Sequence, residues 1–259
     1  MILTIDIGNS TIAVSLHQKE DGKTLLYEQM KTDKKKPEDS YYQELVNILR
    51  SRKIPLSSVK KAGLSSVVAS LTVVFERVLT RLTGEKPFIL TSEARLPFAI
   101  RVDDPSTVGT DLLADVTGAL LKYPAPLVVF SLGTATVTLQ VSEEPALENV
   151  FIYPGVNTSL RTLSAKADAL PDIDIDHPGP FSGKNTNDSM VSGIVYGTAA
   201  MLDGMIDRIE KETGKTCTCV ASGGLAHVIC PYTEHLIHVE ETLLVDGLFE
   251  ALRLNGFLS

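Results

Sequence analysis

One carboxylate, Asp6, closes an otherwise apolar run, Leu3-Thr4-Ile5-Asp6-Ile7, just ahead of Gly8-Asn9. A tight glycine turn between two strands leaves backbone N–H groups facing open space, where they can hold phosphate oxygens. A carboxylate at the strand end can organise a metal ion, or its water, beside those phosphates. Burying it without a partner would be costly, so something should bind it. The plainer alternative is an ordinary hairpin, because Gly-Asn is a common turn. A second copy of the pattern tips the balance. Val128-Val129-Phe130-Ser131-Leu132-Gly133-Thr134 lies over the first run at one constant offset, with Thr11 on Thr136 and Val14 on Leu139. Two such hairpins, facing each other from duplicated domains, would grip a polyphosphate from both sides. Asn9 and Thr134 then supply short polar groups at matching places.

Asp111 opens a predicted helix, where a carboxylate suits the positive helix end, and on the residues alone a plain helix-start role is the favoured reading. Gly223-Gly224 follows a predicted strand and reads as a strand-to-helix turn.

The elements that must position these residues follow from periodicity and punctuation. Strands are predicted at residues 3–7, 11–16 and 24–30. A helix opens at Pro37-Glu38-Asp39 with Leu45, Ile48 and Leu49 on its apolar side. Residues 60–68 form a strand and its exit. Ser70 caps a helix that Gly84 ends. A helix over 110–122 precedes the second hairpin at 127–141 and a strand at 147–152. A long helix over 188–212, a strand at 218–222 and a final helix over 241–254 complete the chain. The repeat divides the chain into α/β domains at residues 1–120 and 121–259.

Composition narrows the function. The chain has 259 residues and a net charge of −8, which argues against a nucleic-acid or anionic-membrane surface. Asp6 interrupts any signal-peptide stretch, no run approaches a transmembrane length, and a cytoplasmic place is expected. Cys217, Cys219 and Cys230 are too few for a disulfide framework. Cys217 and Cys219 alternate within an apparent strand as core thiols. The alternation Asp172, Asp174, Asp176 lacks the glycine and glutamate of a calcium loop and reads as solvated.

The chain resembles the type III pantothenate kinases of the sugar kinase, actin and hsp70 superfamily. The resemblance rests on the residues around Asp6, on Leu64-Ser65-Ser66-Val67-Val68, Val108-Gly109-Thr110-Asp111 and Leu132-Gly133-Thr134-Ala135-Thr136. Pro154-Gly155 with Ser159, Leu170-Pro171, Ser192-Gly193-Ile194-Val195-Tyr196-Gly197 and Ser222-Gly223-Gly224-Leu225-Ala226 continue the family's order. It implies duplicated ribonuclease H-like domains of the actin-like ATPase superfamily with a cleft between them. It also implies ATP-dependent phosphorylation of pantothenate, with Mg2+ and a monovalent cation (K+ or NH4+). Asp111 would be the base. Asp6, Gly8, Asn9, Gly133 and Thr134 would hold phosphates and the cation, with Asp6 as the metal residue. Gly223 and Gly224 would border the adenosine, and Gly109, Thr110 and Thr186 the pantothenate. A homodimer is implied as well. The helix carrying Met190, Ile194, Met201, Met205 and Ile209 either furnishes that contact or packs inside its own subunit.

The chain departs from the family pattern at four places: Ser131 for an aspartate, Leu112 for an arginine, Asn149-Val150 for a glycine pair, and Ala167 for a threonine. Leucine cannot pair with a carboxylate as arginine does. The departures leave two alternatives open: a catalytically weak or inactive paralogue that binds or regulates, and a kinase of another small alcohol.

Overall fold

β1 (Ile2–Ile7) is buried along its whole length, as a near-continuous apolar run requires of a strand covered on both faces. The computed structural model describes residues 1–173, 175 and 181–258 and sets this strand inside a five-stranded sheet. β1 pairs antiparallel with β2 (Thr11–His17), and β2 pairs likewise with β3 (Thr24–Lys31). On its other side it runs parallel to β4 (Lys61–Ser66). A parallel step needs a crossover, and α1 (Glu38–Ser51) supplies it, starting after Pro37 with Glu38 and Asp39 in its first turn. α2 (Ala69–Thr83) leads from β4 to the short β5 (Phe88–Ile89), giving the order β3-β2-β1-β4-β5.

α2 stops at Gly84, whose φ of 83° is left-handed. Ser70 is not its cap. Val68 holds the cap position, and its N–H bonds the Ser66 hydroxyl at 3.2 Å. α1 and α2 bury Tyr41, Leu45, Leu49, Phe75 and Val78 against Leu3, Ile5, Ile7, Ile12 and Val14. Each such side chain contributes roughly 1.5–3 kcal/mol. α3 (Thr110–Lys122) packs against β4.

The second sheet repeats the first. β7 (Leu127–Leu132), β8 (Ala135–Val141) and β9 (Ala146–Pro154) form an antiparallel meander. β10 (Thr218–Ser222) lies parallel to β7, with β11 (Ile237–Val239) beyond it. The order β9-β8-β7-β10-β11 matches the first sheet strand for strand, and β6 (Ala99–Ile100) adds to the edge of β9. α4 (Val156–Lys166), α5 (Thr186–Thr213) and the single turn α6 (Ala226–Ile229) fill the connections.

The duplication is therefore one of topology, and its register slips by one residue. Ile7 faces Ile12 in the first hairpin, whereas Leu132 faces Thr136 in the second. The shorter second turn places Thr136 over Ile12, not over Thr11 as the constant offset had it.

α5 starts two residues earlier than expected, where the Asn185 side chain accepts the Asp188 N–H at 2.9 Å. It is long and apolar enough to cross a membrane by length and composition, against the expectation that no run is. In the fold, its Met190, Val195, Ala199, Leu202, Ile206 and Ile209 join the core of the second unit, with Ile194 and Met201 packed against it. Four of the five residues of the predicted stripe, all but Met205, thus pack within the chain.

Cys217 precedes β10 rather than lying in it; Cys219 and Cys230 are buried, and all three are free thiols. Asp174 and Asp176 lie outside the described residues.

The final helix, α7 (Leu243–Leu254), packs on α3 and β1 through its buried Leu243, Leu248, Ala251 and Leu252. The compact units consequently do not follow chain order. One comprises Met1–Pro97, Asp103–Lys122 and the stretch from Thr242; the other comprises Phe98–Val102 and Tyr123–Glu241. The contiguous division at residue 120 differs from this at the C-terminal helix, whose apolar side is matched by α3, and at β6.

Candidate functional site

In the first unit the end of β1 carries Asp6 into a buried position beside Ser65 of β4, its register partner. The Ser65 hydroxyl donates to Asp6 Oδ1 at 2.7 Å. Thr110, the first residue of α3, holds its hydroxyl 3.0 Å from Ser65 Oγ and accepts the Ser66 N–H at 3.1 Å. A hydroxyl relay therefore ties the carboxylate to the start of α3. Burial pushes the Asp6 carboxyl up to about 8; the Ser65 bond opposes this, and the charges of Asp111 and Asp115 add to it.

Asp111, next along α3, is half-buried, and its Oδ1 accepts the Leu112 N–H at 2.9 Å. Desolvation raises its carboxyl above the ordinary range, and that bond works against the shift. Its carboxylate folds back so closely that a Cβ on Gly109 would sit 2.3 Å from Oδ1. Gly109 thus matters as the space Asp111 occupies. Leu112 points into the core at 8% exposure. Gly8 and Asn9 follow β1 in the turn, where the Gly8 N–H donates to Thr11 O at 2.9 Å and Asn9 is exposed.

The second unit holds the counterpart. Ser131 pairs in register with Ser222 of β10, as Asp6 does with Ser65. The aspartate–serine pair of one sheet has thus become a serine–serine pair in the other. Gly133 and Thr134 are exposed in the turn, and the Gly133 N–H donates to Ala135 O at 3.0 Å. Gly223, at φ 99°, lies so near β7 that a Cβ would come within 2.4 Å of the Leu132 carbonyl oxygen. Gly224 opens onto free space. Thr186 is the first residue of α5. It lines a cavity of about 630 Å³ with Leu163, Leu170, Lys184, Met190 and Ile194.

The structure therefore brings together Asp6, Thr110 and Asp111 in one unit, and Gly133, Thr134 and Gly223 in the other. Sequence reasoning gave no role to Ser65 or Asp115. Ser65 was visible only as part of a motif, because its work depends on the β1–β4 register. Asp115 is fully buried on α3, and an acid four residues beyond Asp111 in an apolar helix was the available signal.

Among the described residues no group of three His, Cys, Asp or Glu side chains is placed to hold a metal ion. The donor set still fits a magnesium ion bound in the way usual for phosphoryl transfer, through one carboxylate, water and substrate phosphates. A carboxyl pushed up by burial, with two like charges adding to the shift, is a group that a cation would relieve.

Comparison with solved structures defines the class. The activator of 2-hydroxyisocaproyl-CoA dehydratase from Clostridium difficile, solved with bound ADPNP, matches with a TM-score of 0.59 at 12% identity, over 99% of this chain and 95% of that one. The ethanolamine utilization protein EutJ from Carboxydothermus hydrogenoformans matches at 0.57 and 14%, over 96% and 88%. The fold is the duplicated α/β fold of the actin-like ATPases and sugar kinases. Within it, the family model for type III pantothenate kinase matches residues 2–208. A type III pantothenate kinase of an Exiguobacterium species is 31% identical over 96% of both chains, and that of Brevibacillus brevis 33% over 96% of both. The chain belongs to the type III pantothenate kinase family.

Proposed function

We propose that this protein transfers the γ-phosphoryl group of ATP to the primary hydroxyl of pantothenate, giving 4'-phosphopantothenate and ADP in coenzyme A biosynthesis. The observation that carries this reading is the hydroxyl relay from Asp6 through Ser65 to Thr110, which fixes a buried carboxylate beside a glycine turn and next to Asp111. In the transfer the acceptor oxygen bonds to phosphorus, the bond to the β-phosphate oxygen breaks, and the acceptor proton passes to Asp111. Asp6, Gly8, Asn9, Gly133 and Thr134 would hold phosphate oxygens, while Gly223 and Gly224 would border the adenosine. Gly109, Thr110 and Thr186 would border the acceptor. The hydroxyl of Thr110 is engaged by Ser65 and Ser66, so its part is to hold the site in shape.

Asp6 would hold Mg2+, which when bound neutralises the charge that builds on the phosphates. A monovalent cation (K+ or NH4+), a homodimer and a cytoplasmic place of action complete the reading, all on the strength of family membership. The test is incubation of purified protein with ATP, Mg2+, K+ and pantothenate, followed by detection of phosphopantothenate. Sedimentation at micromolar concentration tests the dimer, and a monomer there would remove it.

A second reading is a catalytically weak or inactive paralogue, favoured by Ser131 and by the burial of Leu112. If the lost carboxylate limits the enzyme, Ser131→Asp should lower the Mg2+ concentration for half-maximal rate severalfold. Adding Leu112→Arg should then lower KM for pantothenate, with a lower melting temperature because a charge enters a buried position. If wild type and both variants bind ATP but form no product, the non-catalytic reading becomes the better one. If they turn over only an alcohol lacking a carboxylate, the acceptor is another compound.

A further inference from the structure

Each glycine turn is held from behind by one threonine hydroxyl, and the two threonines come from unrelated elements. In the first unit Thr32, just past β3, donates its hydroxyl to the Gly8 carbonyl at 2.7 Å, while its own N–H donates to the Ser10 carbonyl at 3.0 Å. In the second unit Thr158, on α4, donates its hydroxyl to the Thr134 carbonyl at 2.7 Å. α4 can come this near because the residue before it is Gly155, where a Cβ would lie 2.3 Å from Thr134 O and 2.4 Å from Gly133 O.

The consequence follows from peptide planarity. In a trans peptide the C=O of one residue and the N–H of the next point in opposite directions. Fixing the Gly8 carbonyl toward Thr32 aims the Asn9 N–H away from it, and fixing the Ser10 carbonyl aims the Thr11 N–H likewise. Fixing the Thr134 carbonyl toward Thr158 aims the Ala135 N–H outward from the second turn. Donors set in place before a ligand arrives need no reorganisation to meet it, which is what anion binding by a backbone nest requires.

We propose that Thr32 and Thr158 are positioning residues for nucleotide phosphate, each orienting the peptide groups of one turn without touching the ligand; this rests on the kinase reading above. The recurrence supports it. The hydroxyl comes from a strand end in one unit and from a helix in the other, so the shared feature is the bond to a turn carbonyl and not an inherited side chain.

The variants Thr32→Val and Thr158→Val remove the hydroxyl at nearly constant shape. Loss of one neutral hydrogen bond of this kind should weaken ATP binding about 3–10-fold. KM for ATP should rise by a similar factor, with KM for pantothenate within about twofold of wild type. Thr32→Ser and Thr158→Ser should restore most of the affinity, which a purely structural role of the methyl group would not give. Valine variants that bind ATP as wild type does would overturn the inference and leave the kinase reading intact; wild type that binds no ATP would overturn both. Should a valine variant fail to fold, amide exchange of the wild-type protein decides. ATP should slow exchange at the amides of Asn9 and Ala135, and unchanged exchange at both would sink the proposal.

Discussion

Asp111→Asn should lower turnover about 10²–10⁴-fold, the range a positioned general base supplies, and leave ATP affinity within about twofold. Asparagine keeps the size of the side chain and can still accept the Leu112 N–H, so the first turn of α3 should hold its shape. What it cannot do is take a proton. The desolvation that raises the Asp111 carboxyl also sets the pH dependence. The base form is the ionised one, so kcat/KM should rise with pH through a value above that of an ordinary aspartate, and Asp111→Asn should abolish that limb. A loss smaller than tenfold, or an unchanged acid limb, would show that Asp111 is not the base. Gly109 offers an independent check. Since a Cβ there would strike Oδ1, Gly109→Ala should swing the carboxylate and lower kcat without altering its identity.

The strands that carry the site were legible because burial on both faces forces a continuous apolar run, and a lone aspartate in such a run is conspicuous. The repeat of strand, glycine and return strand was likewise written in residue types. What could not be read was anything set by register across the chain. Ser65 reaches Asp6 only because β4 lies parallel to β1 with those two residues level. The one-residue slip of the second hairpin is invisible to a constant-offset alignment, because β8 keeps its apolar and threonine pattern either way. α4 escaped prediction because its apolar residues are sparse, with only Val156 and Leu160 buried. α7 was correctly read as a helix, but its partner α3 lies far away in sequence, and chain order suggested the wrong neighbour. For the candidate site, Asp6, Thr110 and Asp111 each stand out in the sequence, whereas the relay joining them depends on where β1, β4 and α3 meet.

Asp6→Asn should make the protein more stable at alkaline pH while removing its chemistry. The folded-state value of about 8 lies above the ordinary 3.8, so the fold keeps a proton that the unfolded chain releases. The stability tied to that proton is complete below about pH 4 and is lost progressively as pH rises to about 8. Asparagine, neutral throughout and still able to accept from Ser65 through its amide oxygen, avoids the loss. The melting temperature of Asp6→Asn should therefore match wild type below about pH 4 and exceed it by a margin that grows up to pH 8.5, at roughly 2–4 °C per kcal/mol for a chain of this size. Adding Mg2+ and ATP should close the gap from the wild-type side only, because the cation replaces the proton as partner of the ionised carboxylate. Phosphoryl transfer by Asp6→Asn should fall by about 10²-fold or more, the scale of losing one preorganised electrostatic contact. The comparison rests on four melting curves, two pH values for two proteins, repeated with Mg2+ and ATP. Equal melting at pH 8.5 would mean that Asp6 is solvated or paired in the resting protein. Its burial would then carry no stored cost for a cation to relieve.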